Sequence, residues 1–346
     1  MKFSVLGSMT GRILIASVKL IFSVVLVYAV QGTVHAQKLR LDPTKVEGPD
    51  ACGECHKASV NAWKPTHHSK SFKTLPRTKE AKKISKKMGL RRIKAGSDCL
   101  TCHFTSAMVK NKPKPVAGIS CESCHGAGKD WIKEHSNLGG KGVTRETEAP
   151  AHRKARYEKS VAAGMIRPSD LYKLANNCFE CHTVPNEKLV NVGGHTAGSK
   201  FDLVSWSQGE LRHNVWYTKS NGEASASRKR MLYIIGKALD LEHALRGVAN
   251  ATKKATYAVS MARRAAAARK TLSKIAGKLQ IAEITDMVAA GKAAALKLNN
   301  AAQLTAAADK VGAAARKFAN SHDGSKLAAI DVLVPGPGTY KGKAVP

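Results

Sequence analysis

Cysteine never occurs singly in this chain. All eight fall in four pairs with two residues between partners, which leaves no thiol to bridge distant segments by a disulfide. Aromatic residues are only 5% of the 346, too few for a large aromatic core, although the apolar share of 43% is ordinary for a globular chain. Acidic residues are scarce too: 25 against 57 Lys and Arg gives +32, which excludes an acidic, disordered activation-type chain. No apolar run reaches the roughly 20 residues that a membrane-spanning helix needs. The length allows two or three domains.

What is present divides the chain into four stretches. Lys2, Arg12 and Lys19 precede an apolar run from Leu20 to Val30, and Val34-His35-Ala36 follows it. A charged region, an apolar region and a small-residue cleavage site make 1–36 a signal peptide and imply export to the periplasm. A membrane anchor is the lesser reading, because extending the run upstream buries Lys19. Cleavage removes three positive charges and leaves +29. Residues 37–221 are irregular, rich in Gly, Pro, His and Lys, and hold every cysteine. Residues 222–322 change texture: Ala is 29 of the 96 residues from 224 to 319, where Pro and Cys are absent. Met231, Ile235, Ala238, Leu241, Leu245, Val248, Ala251 and Ala255 recur at three- and four-residue steps, the stripe of an amphipathic helix. Gly277, Gly291 and Asn299-Asn300 mark turns, so two or three long helices are expected. Residues 323–346 read as an extended tail.

The pairs are Cys52/Cys55, Cys99/Cys102, Cys121/Cys124 and Cys178/Cys181, and histidine follows each at His56, His103, His125 and His182. Two thiols three positions apart on a helical turn can add to the two vinyl groups on one edge of a haem, and the next residue then places an imidazole on the iron. A structural zinc site would leave the histidine after every pair a coincidence. A redox dithiol would need a βαβ pattern that is absent. Four covalently bound haem c groups are therefore expected. At about 46 residues per haem, 37–221 is too short to enclose each in an apolar core, so the haems themselves form the core, with Trp63, Trp131, Trp206 and Trp216 packing against them. The expected fold is mainly α: short helices and long loops around four haems, then a long-helix extension.

The second axial ligand decides between chemistry and electron transfer, since an iron capped on both faces cannot bind a small molecule. His67, His68, His135, His152, His195 and His213 are six candidates for four positions, with Met88, Met108 and Met165 as weaker substitutes. Which of the adjacent His67 and His68 faces a ring stays open. His152, flanked by Arg153 and Lys154, reads as exposed, and His243 and His322 as ordinary helix residues.

The run Cys52 to His68, with Trp63 seven and His68 twelve residues after His56, resembles the first haem site of the tetrahaem cytochrome c-554 family. Gly118 to Gly128, followed by His135 ten residues after His125, is similar to its third site, and the fourth motif with Phe201-Asp202 and His213 continues the likeness over about 48–216. The resemblance implies His56 with His68, His182 with His135 and His125 with His213. It also implies a second haem that can stay five-coordinate under a loop. Here that loop reads Val192-Gly193-Gly194-His195, and His195 is the candidate cap opposite His103, with a plain surface histidine as the alternative.

The basic charge suits an acidic redox partner protein or peripheral contact with an anionic membrane, and not nucleic acid. The expected function is single-electron relay in respiratory or nitrogen-compound metabolism, not catalysis. Two rivals remain: a haem enzyme whose second haem is open to nitric oxide or a related compound, and a subunit of a cytochrome filament or homo-oligomer.

Overall fold

The chain is mainly helical, and its two halves are built on different principles. A computed structural model describes residues 39–95, 98–218 and 220–346; the expected signal peptide, 1–36, lies outside them. Through the first half the helices are short because Gly and Pro interrupt them often. They are α1 (Pro49–Gly53), α2 (Lys57–Trp63), α3 (His67–Thr74), α4 (Lys79–Lys87), α5 (Cys99–His103), α6 (Cys121–His125), α7 (Ile132–Ser136), α8 (Pro150–Ala162), α9 (Leu171–His182), α10 (Glu187–Asn191), α11 (Leu203–Ser207) and α12 (Val215–Thr218). Local side chains start several of them. Thr66, Thr78, Asp170 and Asp202 each accept a bond from the backbone N–H three residues on, the usual N-cap.

A hairpin of β1 (Thr105–Val109) and β2 (Lys112–Ala117) lies between the second and third motifs, where no strand was expected. Its two-residue turn holds Lys110 at φ 50° and Asn111 at φ 58°, the left-handed pair that a tight hairpin demands. Lysine at the first of these positions hides the signal.

The second half is four helices: α13 (Ala226–Ala249), α14 (Thr256–Lys278), α15 (Ala282–Ala293) and α16 (Ala301–Ser321). Breaks fall just after Gly277, just after Gly291 and at Asn299, whose φ is 58°. A further break at 250–255 brings the number above the two or three helices expected. The apolar stripe is real from Met231 to Val248, with Ile235, Ala238, Leu241 and Leu245 fully buried against Met261, Leu272, Ile275 and Phe318. Small residues let the helices close up. A Cβ on Gly247 would lie 2.6 Å from Met261 Cγ, and one on Gly291 would lie 2.7 Å from Leu241 Cδ2.

This core does not stop at the bundle. It takes in Leu171, Ala175 and Phe179 of α9 and Val204 of α11, so the long helices pack directly on the helix that ends in the fourth motif. The region before α9 has only a small separate cluster, Ile93, Leu100 and Phe104. The expected extended tail is different in detail: 328–333 and 337–339 are 3₁₀ turns, Leu327 and Ile330 are buried, and Lys341 hydrogen-bonds Ser205 and Glu210 through its backbone.

Candidate haem-binding centre

Each cysteine pair sits on one helical turn, with its histidine at the turn's end. α5 and α6 consist of nothing but their motifs, α9 closes with the fourth, and the first straddles the end of α1. Spacing i, i+3, i+4 therefore brings three side chains of one motif to one side of a turn. None of the eight cysteines is in a disulfide. Burial raises the pKa of Cys124 and Cys178, which keeps these thiols protonated.

Among the eight cysteines Cys55 is exposed while the other seven are half-buried. The reason is its place in the chain: α1 ends at Gly53, so Cys55 falls in the turn beyond the helix, and α2 begins only at Lys57. His56 N still donates to the Cys52 carbonyl at 2.9 Å, which preserves the turn geometry of the motif. Cys55 thus keeps its spacing from Cys52 and loses its enclosure, and the first motif is the one that opens to solvent at its second thiol.

The motifs adjoin one another through their sulfurs. Cys52 lies close to Cys121, and Cys102 to Cys181, while Cys124 lies near Cys178 and Cys181. The spatial order is first, third, fourth, second.

Two residues that the sequence did not single out hold this order. Arg40 donates to the Ser123 carbonyl of the third motif and to Asn177 and Glu180 of α9, both at 3.3 Å, while Asn177 Nδ2 donates to the Cys124 carbonyl at 2.8 Å. Glu122, inside the third motif and 1% exposed, accepts from the backbone N–H groups of Glu47 (2.9 Å), Gly48 (2.8 Å) and Gly128 (2.7 Å). The sequence carried no signal for either role, since each acts on backbone atoms of segments brought near only by folding.

The histidines fall into four facing pairs. Ring centroids are 6.0 Å apart for His56 and His135, 6.1 Å for His68 and His182, 6.3 Å for His103 and His195, and 6.4 Å for His125 and His213. Such a gap is too wide for a hydrogen bond or a tight stack. It matches two imidazoles on opposite faces of one metal, with about 2 Å from each nitrogen to the ion. Burial pushes the pKa of His68, His103, His135 and His182 down to about 4, and neighbouring cationic groups act in the same direction. These rings are neutral at pH 7 and keep the lone pair that a ligand needs.

Two of the pairings that the resemblance implied are exchanged: His135, not His68, faces His56, and His68, not His135, faces His182. The path of the chain explains it. Trp63 Nε1 donates to the Ile119 carbonyl at 2.8 Å, Thr66 then starts α3, and the His68 carbonyl accepts from Ile119 N at 3.1 Å. Gly118 packs so tightly below that a Cβ there would lie 2.1 Å from that oxygen. α3 is thereby carried past the first motif toward the fourth. His135 is placed by Arg156, whose Nη1 donates to its carbonyl at 2.7 Å.

The ambiguity at 67/68 also has a structural answer. His67 is exposed and its Nδ1 lies 2.8 Å from the buried carboxylate of Glu210. His152 is partly exposed and bonds Glu148; His243 is half-buried and bonds Asn176, and His322 stacks on Phe318. Trp131, Trp206 and Trp216 pack near His135, His182 and His56, whereas Trp63 serves the backbone instead.

A large apolar ring bearing carboxylates fits this interior. The first half lacks a side-chain core of its own, and the buried Nε1 of Trp131 and of Trp206 and Nδ1 of His135 have no hydrogen-bond partner among the described residues. Unpaired buried donors each cost about 1–3 kcal/mol, which acceptors on a bound group would offset. Among the described residues no three His, Cys, Asp or Glu side chains converge to hold a bare metal ion, as zinc would require.

Residues 51–126 match the family model of cytochrome c554 and c-prime. Over 101 residues the chain is 36% identical to cytochrome c-554 of Nitrosomonas europaea, an alignment covering 27% of this chain and 43% of that relative, so the match spans less than half of the relative's length. No solved structure matches. Through residues 51–126, the segment that carries its first three motifs, the chain is similar to the cytochrome c554 family of c-type cytochromes.

Proposed function

We propose that this protein is an exported tetrahaem c-type cytochrome that relays single electrons between redox partners in respiratory or nitrogen-compound metabolism. The observation that carries this reading is the set of four imidazole pairs at 6.0–6.4 Å, one pair for each Cys-x-x-Cys-His motif. Cys52/Cys55, Cys99/Cys102, Cys121/Cys124 and Cys178/Cys181 attach the four haems through thioethers, the attachment at Cys55 being the solvent-facing one. The axial pairs are His56/His135, His103/His195, His125/His213 and His182/His68. When bound, the haem irons supply reversible one-electron oxidation and reduction. The chain's own residues do the rest: they bring the motifs side by side, keep His68, His103, His135 and His182 neutral and would cap both faces of every iron, so electron relay is favoured over catalysis.

Export to the periplasm rests on the order of charge, apolar run and small residues in 1–36. Among the described residues no helix is long and apolar enough to cross a membrane. The net charge of +29 that remains after cleavage suits acidic redox proteins as partners. The domain division follows the same reading, with 37–221 as the haem domain and 222–322 as a helical buttress against α9.

One observation favours the enzyme reading. His195 is half-buried on a loop with Gly194 at φ 77°, not on a helix, so it is easier to displace than His68 of α3 or His135 of α7, while the most exposed proposed cap is His213. Mass spectrometry of the secreted protein, electron paramagnetic resonance and carbon monoxide titration test both readings. Four added haems, low-spin signals only and no carbon monoxide uptake are expected. Fewer than four haems ends the tetrahaem reading; four haems with one carbon monoxide bound per chain replaces relay by chemistry at the second motif.

A further inference from the structure

We propose that α4 and the loop carrying His195 form the docking face for an acidic electron-transfer protein, which exchanges electrons with this chain at the second motif. The inference rests on reading His103 and His195 as the axial pair of one haem, and it adds where, among four motifs, the partner sits.

Charge is concentrated there and is uncompensated. From residue 77 to 94 the chain carries nine Lys and Arg against one acid, Glu80. Lys82, Lys83, Lys86 and Lys87 of α4 are exposed, as are Arg91 and Arg92, and none of the nine has a carboxylate within 4.0 Å among the described residues. In the bundle, by contrast, acids are interspersed with the cations, and Arg230, Arg246, Arg264 and Lys317 each pair with one. A solvated helix face needs only scattered charge. An unbroken row of one sign costs mutual repulsion that an acidic partner relieves. Arg91 and Arg92, with Ala95, also line an open cleft of about 360 Å³, where planar guanidinium groups can take carboxylates in a bidentate manner.

The patch lies against the second motif's candidate cap. A Cβ on Gly194 would lie 3.3 Å from Lys87 Nζ, and one on Gly193 would lie 3.1 Å from Met88 Sδ, so the end of α4 abuts the His195 loop. Val192, 48% exposed, gives that loop one apolar contact inside a basic surround. A small apolar centre with a charged rim fits a transient electron-transfer encounter, which buries less area than a stable complex. The second motif is also at one end of the spatial order first, third, fourth, second, where electrons must enter or leave.

A protein is favoured over a lipid surface because membrane-binding helices present an apolar face to the bilayer. α4 turns its apolar residue inward, with Ile84 buried at 8% exposure.

The test uses the full-length, haem-loaded protein and reduced flavodoxin as an acidic one-electron donor. One variant changes Lys82, Lys83, Lys87 and Arg92 to Gln. A control removes the same charge from the bundle by changing Lys270, Lys274, Lys292 and Lys310 to Gln. Stopped-flow reduction rates are followed against ionic strength, and haem number by mass spectrometry. The α4 variant is expected to be slower by about tenfold or more at low salt and to lose most of its salt dependence, with the bundle control within about threefold of wild type. Equal losses in both variants, or none in the first, overturn the proposal. So does loss of sedimentation with phosphatidylglycerol vesicles in the α4 variant at an unchanged flavodoxin rate, which places a membrane on this face. A haem number below four in the wild-type chain overturns the tetrahaem reading itself, separately from the docking face.

Discussion

His68 and His182, 114 positions apart, face each other with ring centroids 6.1 Å apart, while His67 beside the first turns outward to Glu210. His68→Ala is expected to open one iron, turning about a quarter of the ferric signal high-spin and admitting one carbon monoxide per chain. His67→Ala is expected to leave the spectrum and carbon monoxide uptake unchanged. Paramagnetic resonance of the two purified variants decides; a high-spin signal in the second and not the first would reverse the assignment.

The other nitrogen of His182 is held from the helical half. Its Nδ1 lies 3.1 Å from Ser199 Oγ, and the Ser199 carbonyl accepts from Arg264 at 3.2 Å, itself paired with Asp240. An Nδ1–H that donates to an acceptor makes the imidazole a stronger donor to iron. Ser199→Ala should therefore raise the potential of one haem of the four and leave three unchanged. Spectroelectrochemical titration reads this, and a uniform shift of all four would refute a local effect.

Glu148 is buried beneath α8, and its oxygens receive Arg156 at 2.5 and 2.7 Å and His152 at 2.8 Å. The Arg156 guanidinium, ahead of His152, holds the carboxyl down at about 2 against an ordinary 4.5. A carboxyl whose folded pKa is depressed contributes stability that is complete above about pH 4.5 and is lost as pH falls toward 2. Thermal unfolding should thus show an acid decline across this window. Glu148→Gln should lower the melting temperature at pH 7 and shrink the decline; an unchanged pH profile would exclude Glu148 as its source.

Leu239 of α13 has no solvent exposure and lies in the core that includes Phe179 of α9. Leu239→Ala is expected to cost about 2–5 kcal/mol in denaturant unfolding. Because the bundle and α9 share one core, unfolding of the bundle should take the spectrum of the fourth motif with it. Two separate transitions, the first without spectral change, would mean that the long helices fold independently of the haem half.

Local chemistry was legible wherever one helical turn contains it. The four motifs need only i, i+3 and i+4, and the stripe from Met231 to Val248 needs only a 3.6-residue period, so both could be read from spacing. The exposure of Cys55 could not, because it depends on where α1 ends and not on the motif. The hairpin at 105–117 was hidden as well, because two prolines in β2 and lysine at a left-handed turn position contradict the usual signals. Arg40 and Glu122 were invisible for another reason: each acts on backbone atoms of segments brought near only by folding.

The amino-acid sequence alone thus determined the four Cys-x-x-Cys pairs, the imidazole that follows each, the helical texture of 222–322 and the excess of positive charge. These depend on neighbours within a turn of chain or on composition. Only the tertiary structure decided which distant imidazole faces which motif, how the motifs are ordered and which surface lies beside His195. Second partners such as His68 and His213 approach their counterparts through the course of loops, set by single contacts like that of Trp63 with Ile119. Spacing cannot encode such an approach, since the distance along the chain says nothing about where a loop returns.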